Sequence, residues 1–137
     1  VTTSSGESGT VPITEDGDVV RVRQLARNYA LQVKLSLVDQ TKLVTATSEL
    51  ARNTLIYGGG GVAHIEIVGD GRRRGVRASF RDEGPGIPDL SLALADGWSS
   101  GKGLGLGLSG ARRLVDEFDL DTEVGRGTSV TVVKWKR

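Results

Sequence analysis

Glycine supplies 20 of the 137 residues, and most of it falls in four clusters, at 58–61, 69–75, 84–86 and 101–110. Glycine weakens helices and strands from within. It also recurs where backbone turns sharply or lies close to a ligand. The clusters therefore mark the loops in which a site can be built.

The length suits one compact domain. With only two Trp, two Tyr and two Phe, its core must be aliphatic. Eighteen basic residues against seventeen acidic ones leave a net charge of +1, which gives no general pull toward nucleic acid or an anionic membrane. The absence of cysteine excludes disulfides and thiolate metal sites, and a single histidine, His64, excludes a His-rich zinc site. No apolar run approaches the roughly 20 residues that span a bilayer, and the N-terminal stretch is polar. A cytoplasmic protein is expected.

Residues 1–9 are small and polar and read as a disordered tail, leaving 10–137 as the domain. Thr10–Thr14 suits a short edge strand. A first helix is expected across Val19–Lys34, with Val22, Leu25, Ala26, Tyr29 and Val33 on its apolar side. Ser36-Leu37-Val38-Asp39 resembles a capping box for a second helix ending near Tyr57. Its stripe of Leu43, Ala46, Leu50 and Tyr57 also carries Asn53, with Glu49 one turn earlier.

Ala63, Ile65 and Ile67 alternate with His64 and Glu66, as a half-buried strand does. Val76, Ala78 and Phe80 repeat the pattern after the 69–75 turn, and continuing it carries Asp82 onto the apolar face. A short helix near Leu90–Ala95 is expected. A third helix follows, through Leu104, Leu108, Ala111, Val115 and Phe118. Strands near Leu120–Val124 and Thr128–Trp135 close the chain. The fold class is α/β: a two-layer sandwich of a mixed, mainly antiparallel sheet with about three helices on one face.

Three motifs carry chemistry. Glu49 and Asn53, four apart on one helix, offer a carboxylate for proton transfer and a hard amide oxygen for Mg²⁺. Alone, the pair also suits a solvated Glu and a helix-bonded Asn. Asp82, with Gly84 and Gly86, offers a carboxylate that can accept from an exocyclic amine, beside backbone a flat base can approach. A strand ending in a capped Pro-Gly turn has the same residues. The segment Gly101-Lys102-Gly103-Leu104-Gly105-Leu106-Gly107 before a helix exposes amides toward a phosphate. It lacks the Gly-Lys-Ser/Thr ending of a Walker loop. Glycines inside the third helix each cost about 1 kcal/mol relative to Ala, which favours close backbone approach over a packing role.

In order and spacing these motifs resemble the GHKL (Bergerat-fold) ATPases, shared by gyrase, Hsp90, histidine kinases and anti-sigma-factor kinases. The stretches Arg23-Gln24-Leu25-Ala26-Arg27-Asn28, Ser48-Glu49-Leu50-Ala51-Arg52-Asn53, Asp82-Glu83-Gly84-Pro85-Gly86-Ile87-Pro88-Asp89 and Leu114-Val115-Asp116-Glu117-Phe118 resemble the RsbT type of serine/threonine switch kinase.

The resemblance implies ATP and Mg²⁺ as cofactors, with Glu49 as base and Asn53 as Mg²⁺ ligand. It implies Asp82 on the adenine amine, Gly84 and Gly86 shaping the base pocket, and Thr128 supporting the base. A lid over Ser99–Gly107 would bring Gly101, Lys102, Gly103, Leu104, Gly105 and Gly107 to the phosphates, with Lys102 either on phosphate or in solvent. Implied partners are STAS-domain substrates (RsbS/RsbR-like) of the stressosome and a PP2C-type phosphatase (RsbU-like) that the released kinase activates. Nucleic acid and membrane are not expected as partners.

Two other functions stay open at this point. One is a nucleotide-sensing, anti-sigma-type module that sequesters its partner. The other is a histidine-kinase catalytic domain, although this chain has no dimerisation helix with a phosphoacceptor His. Arg72-Arg73-Arg74 reads as a solvated turn, and Trp135 as packing on the last strand.

Overall fold

The computed structural model describes residues 3–87 and 108–137. Helix α1 (Asp16–Gln32) starts three residues earlier than its apolar spacing suggests, because Asp18 ties down the entry. Its Oδ2 accepts from the Thr14 amide at 2.9 Å, the Thr14 hydroxyl at 3.1 Å and the Glu15 amide at 3.1 Å. These bonds, the Thr14 amide foremost, hold the carboxyl below its ordinary value. A tight corner with Lys34 at φ 63° turns the chain into helix α2 (Leu37–Ile56). Ser36 caps α2 as expected, accepting the Asp39 amide at 3.1 Å.

The sheet has five strands: β1 (Thr3–Ile13), β2 (Gly61–Gly69), β3 (Arg74–Asp82), β4 (Glu117–Glu123) and β5 (Gly127–Trp135). Their order is β1-β2-β3-β5-β4, and every pairing among the described residues is antiparallel. One face carries the core. Ile13, Ile65, Ala78, Phe80 and Val132 meet Val22 and Ala26 of α1 and Leu43 and Leu50 of α2 there. A third helix, α3 (Leu108–Leu114), packs against α2 with Leu108 and Ala111 buried.

The other face is polar. Glu66 accepts two bonds from Arg77 at 3.0 and 2.8 Å, and His64 meets the Thr10 hydroxyl at 2.9 Å. Among the described residues, Val68, Val133 and Trp135 form the apolar cluster on this side. Lys134 is buried on the helix side, its Nζ 3.5 Å from both Asp39 and Asp116.

Two expectations are corrected. Residues 3–9 are not a tail but the first part of β1, with Thr3, Ser4 and Ser8 opposite Gly69, Val68 and Glu66. Backbone pairing with β2 needs no apolar side chain. Gly9 lies so close under α1 that a Cβ there would stand 2.9 Å from Leu25. Phe118 belongs to β4, not to the third helix. The Asp116 amide already donates to Val133 at 2.9 Å, so pairing with β5 ends the helix, and Phe118 and Leu120 then face the core by strand alternation.

The β2–β3 turn is pinned by Asp70. Its Oδ1 accepts the amides of Arg72 and Arg73 at 3.0 and 2.8 Å, and its Oδ2 accepts two bonds from the Arg73 guanidinium. These contacts, led by the Arg72 amide, lower the carboxyl from 3.8 to about 2. A lowered native pKa stabilises the fold above the unfolded value and loses that contribution as pH falls through the native one. Hydrogen-exchange protection of the Arg72 and Arg73 amides should therefore decline between pH 3.8 and about 2. Protection unchanged across that window would show that the carboxylate does not hold the turn.

Candidate functional site

Strand β3 delivers Asp82 at its C-terminal end, opposite Gly61 of β2 and Thr128 of β5. Asp82 Oδ1 accepts the amides of Gly84 at 2.9 Å and Thr128 at 3.2 Å. Its Oδ2 has no bond to any described residue. One oxygen thus orients the carboxylate and the other is left to accept from something else.

Glycines make room for that arrangement. A Cβ on Gly58 would lie 2.4 Å from Asp82 Cγ and 2.6 Å from Oδ2. A Cβ on Gly84 would lie 2.8 Å from the Gly58 Cα, so two bare backbones meet beside the carboxylate. Gly86, at φ 77°, turns the chain under the β4–β5 hairpin, where Gly125 donates to the Pro85 carbonyl at 2.9 Å.

Behind Asp82, Thr122 of β4 joins three segments. Its hydroxyl accepts the Ile87 amide at 2.9 Å, donates to the Gly127 carbonyl at 3.1 Å and meets the Thr128 hydroxyl at 2.9 Å. Gly61 fixes the β2 side of the same rung. A Cβ there would stand 2.1 Å from the Arg81 carbonyl and 2.8 Å from Thr54. Gly61→Ala should cost about 1–3 kcal/mol through forced backbone shifts. A denaturant midpoint equal to wild type would show that the β2–β3 ladder yields freely.

Helix α2 brings Glu49 and Asn53 to this end of the sheet. The Asn53 carbonyl accepts the amides of Tyr57 at 2.9 Å and Gly58 at 3.2 Å, which closes the helix next to Asp82. Both side chains are half-buried and sit one turn apart, about 6 Å along the axis. The structure therefore gathers Asp82, Gly84, Gly86 and Thr128 in one place, with Asn53 and Glu49 on the helix that ends against them. Gly101, Lys102, Gly103, Leu104, Gly105 and Gly107, the rest of the Ser99–Gly107 lid and the Leu90–Ala95 helix lie outside the described residues.

A groove of about 390 Å³ also passes Asp82, but it opens on the sheet face away from the helices. Glu83, Asp121 and Glu123 outnumber Arg81 and Arg126 along it, so it repels a triphosphate. Asn53 and the core-side Asp82 carboxylate stand on the helix side.

Sequence reasoning missed two participants. Gly58 reads as a helix cap, and nothing within the 58–61 run distinguishes the glycine that lies against a carboxylate. Thr122 has a faint signal: it and Thr128 sit symmetrically about the Gly125 turn, which makes them a cross-strand pair.

The residues present fit an adenine nucleotide with Mg²⁺. Among the described residues Oδ2 accepts no bond and lies beside glycine backbone, which suits a flat base with an exocyclic amine. One amide oxygen from Asn53 suffices for Mg²⁺, which keeps waters and takes its other ligands from phosphate.

Comparison with known proteins gives the family. Residues 38–137 match the family described as histidine kinase-, DNA gyrase B-, and HSP90-like ATPase. The chain is 45% identical over 127 residues to the serine/threonine-protein kinase RsbT of Bacillus subtilis (strain 168), covering 93% of this chain and 96% of that one. It is 30% identical over 114 residues to the anti-sigma F factor of Geobacillus kaustophilus (strain HTA426), covering 77% and 76%. The crystal structure of the RsbU and RsbW domains of Rv1364c from Mycobacterium tuberculosis matches with a TM-score of 0.63. At 23% identity over 94% of this chain and 32% of that one, it is similar in fold alone.

Proposed function

Because the chain belongs to the histidine kinase-, DNA gyrase B- and HSP90-like ATPase family, and is a serine/threonine-protein kinase within it, we propose that it phosphorylates STAS-domain proteins in a partner switch. The phosphoryl donor in this reading is ATP with Mg²⁺. The observation that carries it is the divided Asp82 carboxylate, with one oxygen fixed by two amides and the other open beside Gly58.

Asp82 Oδ2 accepts the adenine amine, and Thr128 and Gly84 hold the carboxylate in place for it. Gly86 shapes the floor of the pocket. Asn53 presents its amide oxygen to Mg²⁺, which neutralises phosphate charge when bound. Glu49 takes the proton from the partner's Ser or Thr hydroxyl as that oxygen bonds to the γ-phosphorus and the bond to the β-phosphate oxygen breaks. ADP and the phosphorylated partner leave. In this reading the glycine-rich segment 101–107, with Lys102, would supply the contacts to the phosphates.

Released from its STAS partners (RsbS/RsbR-like), the kinase activates a PP2C-type phosphatase (RsbU-like) in this scheme. We assign the cycle to the cytoplasm; among the described residues no helix is long and apolar enough to cross a membrane.

Radiolabelled γ-phosphate should pass from ATP, with Mg²⁺, to a Ser or Thr of purified STAS-domain proteins from the same genome. The identity to an anti-sigma F factor supports a second reading, a nucleotide-sensing module that sequesters its partner. ATP binding without transfer to any STAS protein would select that module.

A further inference from the structure

The β2–β3 hairpin tip lies at the opposite end of β3 from Asp82, nine residues and about 26 Å along the strand. It holds three consecutive arginines whose fates differ. Arg73 is spent on structure: its guanidinium bonds to Asp70 and stacks over the Trp135 ring at 4.1 Å. Trp135 is itself fixed, with its indole N–H donating to Glu117 at 2.7 Å.

Arg72 and Arg74, on either side, are exposed and have no carboxylate partner among the described residues. The Lys136 amide donates to the Arg74 carbonyl at 2.8 Å, which lays a third exposed cation beside them. Among the described residues Lys136 Nζ bonds only the Arg137 carbonyl. Three exposed cations thus meet at this corner, two on the pinned turn and one on the segment bonded to it, in a chain whose net charge is +1. Mutual repulsion makes that a cost for the isolated domain, and the pinned turn removes the ordering penalty of binding.

We propose that this corner docks a short acidic segment of a protein partner, whose carboxylates pair with Arg72, Arg74 and Lys136. The bounds of the patch argue for a short segment over a polyanion. Carboxylates bound the patch, with Asp70 on the turn and Asp116 and Glu117 against Trp135, so a duplex or a flat anionic membrane would also meet like charge. No exposed aromatic stands among the cations for a base to stack on, since Trp135 is only 2% exposed. The inference is independent of the phosphotransfer reading.

A labelled peptide of alternating Glu and Ser, titrated at low ionic strength, tests it. Wild type should bind, with amide shifts concentrated at residues 70–75 and 134–137. The double variant Arg72→Glu/Arg74→Glu should lose about tenfold or more in affinity. Arg23→Glu/Arg27→Glu, which reverses exposed charge on α1, should bind as wild type does. ATP affinity of the hairpin variant should be unchanged, which separates this outcome from any failure at Asp82.

The proposal is overturned by no binding to wild type, by equal binding to the hairpin variant, or by equal loss in the α1 variant. It is also overturned if single-stranded RNA or phosphatidylserine vesicles bind through Arg72 and Arg74 more tightly than the peptide. That result would give the corner to a phosphate polyanion.

Discussion

Glu49→Gln should leave ATP affinity near wild type while lowering phosphoryl transfer by about 10²–10⁴-fold, the usual contribution of a general base. The substitution keeps the size and helix preference of the side chain and removes only its basicity. No hydrogen bond or ion pair ties Glu49 to another described residue, so its charge holds no part of the fold together. A half-buried carboxylate without a structural partner is available for chemistry. Nucleotide binding by calorimetry and label transfer, made on the same sample, separate the two effects. Transfer within about threefold of wild type would remove Glu49 as the base, because general-base loss is far larger than that.

Asp82→Asn should weaken ATP by about 10–100-fold, the worth of a hydrogen bond to a charged group. The fold should survive. An Asn oxygen can take over both backbone bonds, from Gly84 at 2.9 Å and Thr128 at 3.2 Å. Its NH₂ then stands where Oδ2 was and faces the adenine amine donor to donor. Selectivity is therefore the sharper readout: the ATP-to-GTP affinity ratio should collapse while thermal stability stays close to wild type. Equal loss for both nucleotides would mean that Asp82 shapes the pocket without reading the base.

Strand and helix identities were legible where one period dominated. Ala63, Ile65 and Ile67, then Val76, Ala78 and Phe80, alternate cleanly, and all six are buried. Ser36 announced α2 because an N-cap acts within three residues of chain. Extending the β3 parity to Asp82 was enough to place its carboxylate on the helix side. Residues 3–9 were illegible because backbone pairing with β2 leaves no mark in side-chain composition. Phe118 misled because a helical spacing of three from Val115 is also a strand step of two from Leu120. The least visible contact was Gly58 against Asp82, which depends on two segments 24 positions apart meeting without a side chain between them.

The strand order has a consequence for synthesis. β5 is the last of the described strands to leave the ribosome, yet it lies between β3 and β4. Until it emerges, both of those strands expose an unpaired edge, and Asp82 lacks the Thr128 amide that orients it. The growing chain therefore cannot bind nucleotide piecemeal. Before β5 emerges, the helices cover an open β1–β2–β3 sheet whose bare β3 edge is a template for pairing with another chain.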